Sequence, residues 1–336
     1  MKYRNLAGTD IEVSEVGFGV WTVSTGWWGE VNDERSVRLL RRAFEKGINY
    51  FDTADTYGSG LGETLLADAF GGMREEIVIS TKIGYDFYNH TQRRGQQERP
   101  QDWSENFIRF ALEQSLKRLG TDYIDFLQLH NTKMDAIEND ALFELMEEFK
   151  EKGKIRSYGV ALGPKIGWLE EGVKAMRERD LAGVQMIYNL LEQDPGRALI
   201  EAARETDTSL IARVPHSSGM LEGKYTEETT FAKNDHRRHR PKEWLLGGLK
   251  KVEQLGFLAG SGERTLGQAA LKFVLATPEI ISTLPNIYDD EQLDEFAAAP
   301  DTPDLTDDEL ARVAELYEDN FGLEQSAISG QQSTRG

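Results

Sequence analysis

The sequence predicts an α/β fold, a (β/α)8 TIM barrel with long loops after strands 3 and 7 and an extra C-terminal helix, as one domain over residues 1–336. Three observations carry this expectation. Eight short apolar, β-rich runs alternate with amphipathic helical stretches, the pattern of βα units and a parallel sheet. The chain has 336 residues, 39% of them hydrophobic, and a closed barrel of this type takes about 250 residues as a single domain. Two connections, Ile83 to Asp102 and Val214 to Lys242, far exceed the roughly 2 to 6 residues usual for βα loops. Both follow strand C-termini, the face where barrel enzymes keep their sites. Counting elements leaves an open doubly wound sheet as the alternative arrangement.

In order, the first strand is Val16 to Gly19, where Gly17 and Gly19 let the chain end tightly, followed by a helix from Glu34 to Glu45. Strand two is Tyr50 to Asp52, and Gly60 and Gly62 shape the start of the helix after Tyr57. Strand three, Ile77 to Thr81, leads through the first long loop to a helix from Asn106 to Leu119. Strand four is Ile124 to Leu129 with a helix from Ala141 to Lys150, and strand five Tyr158 to Val160 with a helix from Ile166 to Met176. Strand six is Val184 to Tyr188 with a helix from Arg197 to Arg204; strand seven, Ser209 to Ala212, precedes the second long loop and a helix from Gln268 to Leu275. Strand eight is Ile280 to Leu284. Apolar residues return every three to four positions in the helices, and Gly47, Gly120 and Gly153 each follow a last turn bearing Lys or Arg. A final helix, Leu305 to Glu318, has Thr306 as N-cap and acids in its first turn; residues 323–336 read as a frayed tail. No repeat recurs at a fixed period of 20 to 50 residues.

Composition narrows the function. With 58 acidic against 39 basic residues the net charge is -19, which argues against nucleic acid or an anionic membrane as partner, because phosphate surfaces select basic faces. The absence of cysteine excludes disulfides, thiolate catalysis and cysteine-ligated metals. The N-terminus lacks a signal-peptide layout and no apolar run reaches 18 residues, so a cytoplasmic location is expected.

Four stretches carry chemistry, each at or just past a strand: FDTADTY (51–57), STK (80–82), LQLH (127–130) and QMIYN (185–189). The first three bring a carboxylate (Asp52), a phenol (Tyr57), an ammonium (Lys82) and an imidazole (His130) to one end of parallel strands. Such a set can protonate a carbonyl oxygen while hydride arrives at carbon. Taken singly, Asp52 and Lys82 read as an ion pair, His130 as a core histidine and Tyr57 as a loop cap. The glycines of Gly17-Phe-Gly19 and Gly58-Ser-Gly60-Leu-Gly62 lack the spacing of a dinucleotide fingerprint, so that reading is set aside.

The runs GINYFDTADTYGSGLGE, ISTKIG, LGTDYIDFLQLHN and VQMIYN, in this order, resemble the aldo-keto reductases, and the likeness spans Leu6 to about Phe321. The resemblance implies an NAD(P)H-dependent carbonyl reductase with Asp52, Tyr57, Lys82 and His130 as catalytic tetrad. A free phenol holds its proton up to about pH 10, so a donor of this kind wants a cation beside it. Lys82 is the cation on offer, since one within about 4 to 6 Å acts strongly on a neighbour. Asp52 then fixes Lys82, and His130 orients the carbonyl oxygen.

The resemblance further implies cofactor contacts. Trp21, Thr22 and Asp52 fall near the nicotinamide ribose and Gln185 at the carboxamide. Pro215, Ser217, Gly219, Leu221 and Lys224 lie in the seventh-strand loop, and Asn286, Gln292 and Glu295 follow the eighth strand. The chain departs from the family pattern in places. The Ser-Asn pair after the fifth strand is replaced by Ala161-Leu162, the aromatic that stacks on nicotinamide by Arg213, and the final Asn of the Gln-Leu-x-Glu-Asn pattern by Phe296. A guanidinium plane stacks on rings too.

The loop from Asn286 to Glu295 offers no base for a 2′-phosphate, which wants an Arg or Lys fork. The stretch from His236 to Arg240 does offer bases, so NADP(H) is favoured over NAD(H), although those bases read equally well as a solvated surface. No metal is expected; His236 and His239 lack further ligands. Trp21, Trp28, Tyr57, Tyr85 and His130 are the expected substrate-pocket residues, suited to a small carbonyl or alcohol, a sugar included. Arg93, Arg94 and Arg99 would steer an anionic substrate or face solvent. Two rival functions share the fold: a redox-sensing regulatory subunit resembling the potassium-channel β subunits, and an aldolase or isomerase using Lys82 as a Schiff base. Oligomeric state, monomer or homo-oligomer, is not fixed by the sequence.

Overall fold

The computed structural model describes residues 1–28, 32–91, 98–164, 167–260 and 262–323. Two short strands, β1 (Tyr3–Asn5) and β2 (Glu12–Ser14), pair antiparallel before the barrel begins. The barrel strands are β3 (Phe18–Gly19), β4 (Tyr50–Asp52), β5 (Val78–Ile83), β6 (Ile124–His130), β7 (Ile155–Ala161), β8 (Gly183–Ile187), β9 (Ser209–Arg213) and β10 (Ile280–Leu284). Each pairs in parallel with the next in chain order. The ring closes between its first and last members: Val16 bridges Thr283, Gly17 N–H donates to the Thr283 carbonyl at 2.9 Å, and Thr283 N–H to that of Glu15 at 2.9 Å. An unbroken sequential order with closure is the barrel, not the doubly wound sheet.

Helices wrap the outside of the closed ring and leave the strands mostly buried on both faces; β5 and β6 are buried along their whole lengths. Side-chain parity sorts the apolar residues into two cores. Leu127, Leu129, Ile79 and Ile83 join the large core beneath the helices, whereas Phe126, Val78, Tyr50, Ile211, Ile281 and Leu284 form a smaller cluster with Leu6, Ile11 and Val13. The N-terminal hairpin is therefore a plug against the apolar residues of the strands. Sequence reasoning missed it.

Helix ends follow the expected chemistry. Thr306 caps the helix Asp307–Glu318 in a reciprocal capping box with Glu309, and Gly120 ends Glu105–Leu119 at φ +64°. The long seventh-strand loop contains structure of its own, a turn at His236–His239 and the helix Lys242–Gln254. After β10, Asp289 caps a helix from Asp290 to Ala297. Ile166, the expected start of the fifth helix, lies outside the described residues, as do all but the first residue of the tail 323–336; the described helix is Leu169–Glu178.

Candidate active site

Strand register brings the polar residues of β4, β5 and β6 together. Asp52 pairs with Ser80 and Lys82 with Gln128, so an alternating polar row crosses neighbouring strands. Lys82 Nζ lies 2.5 Å from Asp52 Oδ1 and donates to the Thr53 carbonyl at 2.7 Å, with both charged side chains buried. The second carboxylate oxygen of Asp52 accepts from Ser80 Oγ at 3.1 Å, Gln128 Nε2 at 3.1 Å and Gln185 Nε2 at 2.9 Å. A buried ion pair persists only when its remaining lone pairs are satisfied, and here they are. Gln185 thus reaches the centre, with one of its two amide N–H donors given to Asp52. Gln128 was not anticipated; it faces inward two residues before His130, and strand parity would have found it.

Tyr57 enters from the turn after β4, with Lys82 Nζ 5.2 Å from its ring centroid. His130 ends β6 edge-on to Tyr57 and to Tyr85, at centroid separations of 5.8 and 4.9 Å. Burial, followed by Lys82 and Arg213, pushes the His130 pKa well below that of free imidazole, and its Nδ1 is buried without a partner. A neutral ring is what these surroundings enforce. Tyr85 is held by Glu98 at 2.5 Å and by Asn131 Nδ2 at 2.8 Å. Asp55, two residues before Tyr57, is a further buried acid that sequence reasoning passed over; burial and Glu63 raise its pKa well above the carboxylate range.

Arg213 ends β9 and donates through Nη2 to the carbonyls of Leu162 (3.0 Å) and Gly163 (2.6 Å), the segment where the Ser-Asn pair is missing. The following loop is strained: Val214, Ser217 and Ser218 take left-handed φ of +59°, +46° and +59°, joined by Gly219 at +90°. For a β-branched residue this is an outlier of the kind concentrated at ligand sites. Pro215 and Leu221 are buried in this loop, Ser217 Oγ donates to Glu192 at 3.2 Å, and Lys224 meets Glu291 at 3.2 Å.

Trp21 stands edge-on to Trp27, Trp28 and His236, and Trp28 stacks on Tyr288. Thr22 Oγ1 donates to the Ile287 carbonyl at 2.6 Å, tying the first loop to the last. Asn286 is half-buried beside them. Gln292 donates to Glu222, and the Glu295 carboxylate accepts from Thr265 Oγ1 at 2.5 Å. In the basic stretch, Arg237 is paired with Asp235 at 2.6 Å and lies 4.0 Å over Trp28, while Arg240 lies over Trp244. Arg99 donates to Thr56 Oγ1 at 2.6 Å; Arg93 and Arg94 lie outside the described residues. Among the described residues no group of His, Asp and Glu is arranged to hold a metal, and no helix is long and apolar enough to cross a membrane.

Residues 15–318 match the model of the aldo/keto reductase family. This chain belongs to the aldo/keto reductase family. Its relatives include the uncharacterized oxidoreductase YqkF of Bacillus subtilis, 30% identical over 92% of this chain and 94% of that protein. The NADH-specific methylglyoxal reductase of Escherichia coli is 26% identical over 95% of this chain and 99% of its own length. Among solved structures, the holo form of aldo-keto reductase AKR11C1 from Bacillus halodurans superposes with a TM-score of 0.75 at 28% identity, covering 94% of this chain and 96% of that one. As an aldo/keto reductase the chain is an oxidoreductase of a nicotinamide-dependent family, built on the barrel described above.

Proposed function

We propose that this protein reduces an aldehyde or ketone to the alcohol with NAD(P)H, or runs the reverse, with Tyr57 as the proton donor. The observation that carries this reading is Tyr57 and His130 set edge to face, with Lys82 Nζ of the buried Lys82–Asp52 pair 5.2 Å from the Tyr57 ring centroid. A bound nicotinamide would supply the hydride. The residues present suit it: His130 Nδ1 and Arg213 Nε are buried without partners at one end of the site, and Glu222 Oε1 in the seventh-strand loop. Trp21, Thr22, Arg213 and the seventh- and eighth-strand loops are the segments that would hold the dinucleotide.

The chain's own part is proton transfer and orientation. Tyr57 gives its hydroxyl proton to the carbonyl oxygen, and the Lys82 ammonium favours the phenolate left behind. Asp52 holds that ammonium in place through the buried ion pair. His130, neutral, offers a ring nitrogen to the same oxygen and sets the approach of the carbonyl. Trp21, Trp28 and Tyr85 supply the apolar wall of the pocket.

The sequence favours NADP(H) because of the bases at His236 to Arg240. In the fold Arg237 is committed to Asp235 and to Tyr225, whereas Arg238 and Arg240 of the same stretch are exposed. Methylglyoxal is a fitting first substrate, given the Escherichia coli relative. The test is fluorescence titration with NADH and NADPH, then single-turnover oxidation by methylglyoxal, wild type beside Tyr57→Phe. The substitution should slow oxidation by roughly 10²-fold or more with dinucleotide affinity unchanged. A Tyr57→Phe protein with full activity overturns the mechanism; binding without oxidation favours the redox-sensing subunit.

A further inference from the structure

The seventh-strand loop buries an acid that carbonyl reduction does not use. Glu222 ends the turn Met220–Glu222 and is 9% exposed. One carboxylate oxygen accepts from Gln292 Nε2 at 2.8 Å, and the other, Oε1, is buried with no partner. Gln292 is itself fixed, its Oε1 taking the Tyr288 N–H at 3.1 Å and its own N–H capped by Asp289 at 2.8 Å. The acid therefore stands rigidly between the loop after β9 and the helix Asp290–Ala297. An unsatisfied buried carboxylate costs stability and calls for a ligand that completes it.

The neighbours indicate which ligand. Lys224 is paired with Glu291, and Arg237 with Asp235 and the Tyr225 hydroxyl; burial dominates at Glu222, the fields of these two cations act on it, and that of Glu295 opposes them. A 2′-phosphate brings between one and two further negative charges and wants an uncommitted Arg or Lys fork. A ribose 2′-hydroxyl is instead a donor, and a carboxylate that accepts it is the means by which an unrelated fold recognises NAD.

We propose that Glu222 selects NAD(H) over NADP(H), its Oε1 accepting the 2′-hydroxyl of the adenosine ribose and repelling a 2′-phosphate at that position. This rests on the nicotinamide-dependent reading above and reverses the preference drawn from the sequence.

The experiment is equilibrium fluorescence titration at pH 8 with NADH and NADPH for wild type, Glu222→Gln and Glu222→Arg. Calorimetric titration with 5′-AMP and 2′,5′-ADP, which carry no nicotinamide, isolates the adenosine end. Wild type should bind NADH at least about tenfold more tightly than NADPH, a difference of about 1.4 kcal/mol. Glu222→Gln should erase most of that ratio and Glu222→Arg should reverse it, with the two nucleotides following suit. Binding without preference, a preference for NADPH, or a ratio unmoved in both variants overturns the selection alone. Failure of wild type to bind either dinucleotide overturns the reductase reading and the selection with it.

Discussion

Charge at the centre is balanced unequally between its two members. Asp52 keeps three neutral donors, from Ser80, Gln128 and Gln185, even without its cation, whereas Lys82 without Asp52 retains the Thr53 carbonyl. Asp52→Ala should therefore cost about 3 to 5 kcal/mol, the scale of stranding a buried charge, and Lys82→Met distinctly less. Urea denaturation of the two variants checks the order. His130 is held neutral by burial, Lys82 and Arg213, so its ring resonances should show no titration between pH 6 and 8; a midpoint in that window by NMR would contradict the buried, cation-flanked geometry. Glu222 poses the opposite problem. Burial lifts its pKa to about 7, against Gln292, Arg237 and Lys224. The fold thus favours the protonated acid, and the ionised form is destabilising above pH 7, a cost relieved as pH falls from 7 towards the unfolded value. Glu222→Gln should stabilise the protein by up to about 3 kcal/mol at pH 8 and by little near pH 4.5, on the scale of 1.36 kcal/mol per pH unit.

At the scale of elements, the hairpin β1–β2 is a test of how the barrel is sealed. Leu6, Ile11 and Val13 pack on Phe126, Tyr50 and Ile211, away from the strand C-termini that carry the site. Leu6→Ala should cost about 2 to 5 kcal/mol and lower the melting temperature while leaving dinucleotide affinity unchanged. The hairpin was not legible because each strand has only three residues, too short for alternation to register. Strands such as Tyr50–Asp52 and Ile280–Leu284 were legible to the residue, since each is a short β-rich run bounded by turn-forming residues and buried along its length. The helix Lys242–Gln254 was hidden by Gly247 and Gly248 at its centre, which lower intrinsic helicity. In the site, charged and aromatic residues at strand ends announced themselves through their chemistry, and the fold brought Asp52, Tyr57, Lys82 and His130 together. Gln128 did not, because an amide carries no chemical signature of its own and only its parity with His130 on the same strand points inward. Nor did Glu222, an acid in a long loop whose burial depends on a helix some 70 residues further on.

The whole molecule carries a net charge of -19, and its bases are largely committed to surface pairs such as Arg42–Asp294, Arg197–Asp194 and Lys174–Glu178. Exposed pairs of this kind contribute little each, so the uncompensated acids dominate the long-range field and repel one another across the compact state. Screening shortens their reach from about 30 Å at 0.01 M salt to about 3 Å at 1 M, while the buried Lys82–Asp52 pair is hardly affected. Melting temperature should therefore rise between those two salt concentrations, as scanning fluorimetry would read directly; a fall would mean that the surface pairs outweigh the repulsion. The same field opposes the approach of an anionic dinucleotide. Stopped-flow association of NADH should accelerate with salt, the reverse of the behaviour of a basic binding cleft, and NADPH, with its added charge, should gain more than NADH. A rate that falls with salt would place a strongly basic entrance over the site, and the paired arginines of the seventh-strand loop would then have to open to provide it.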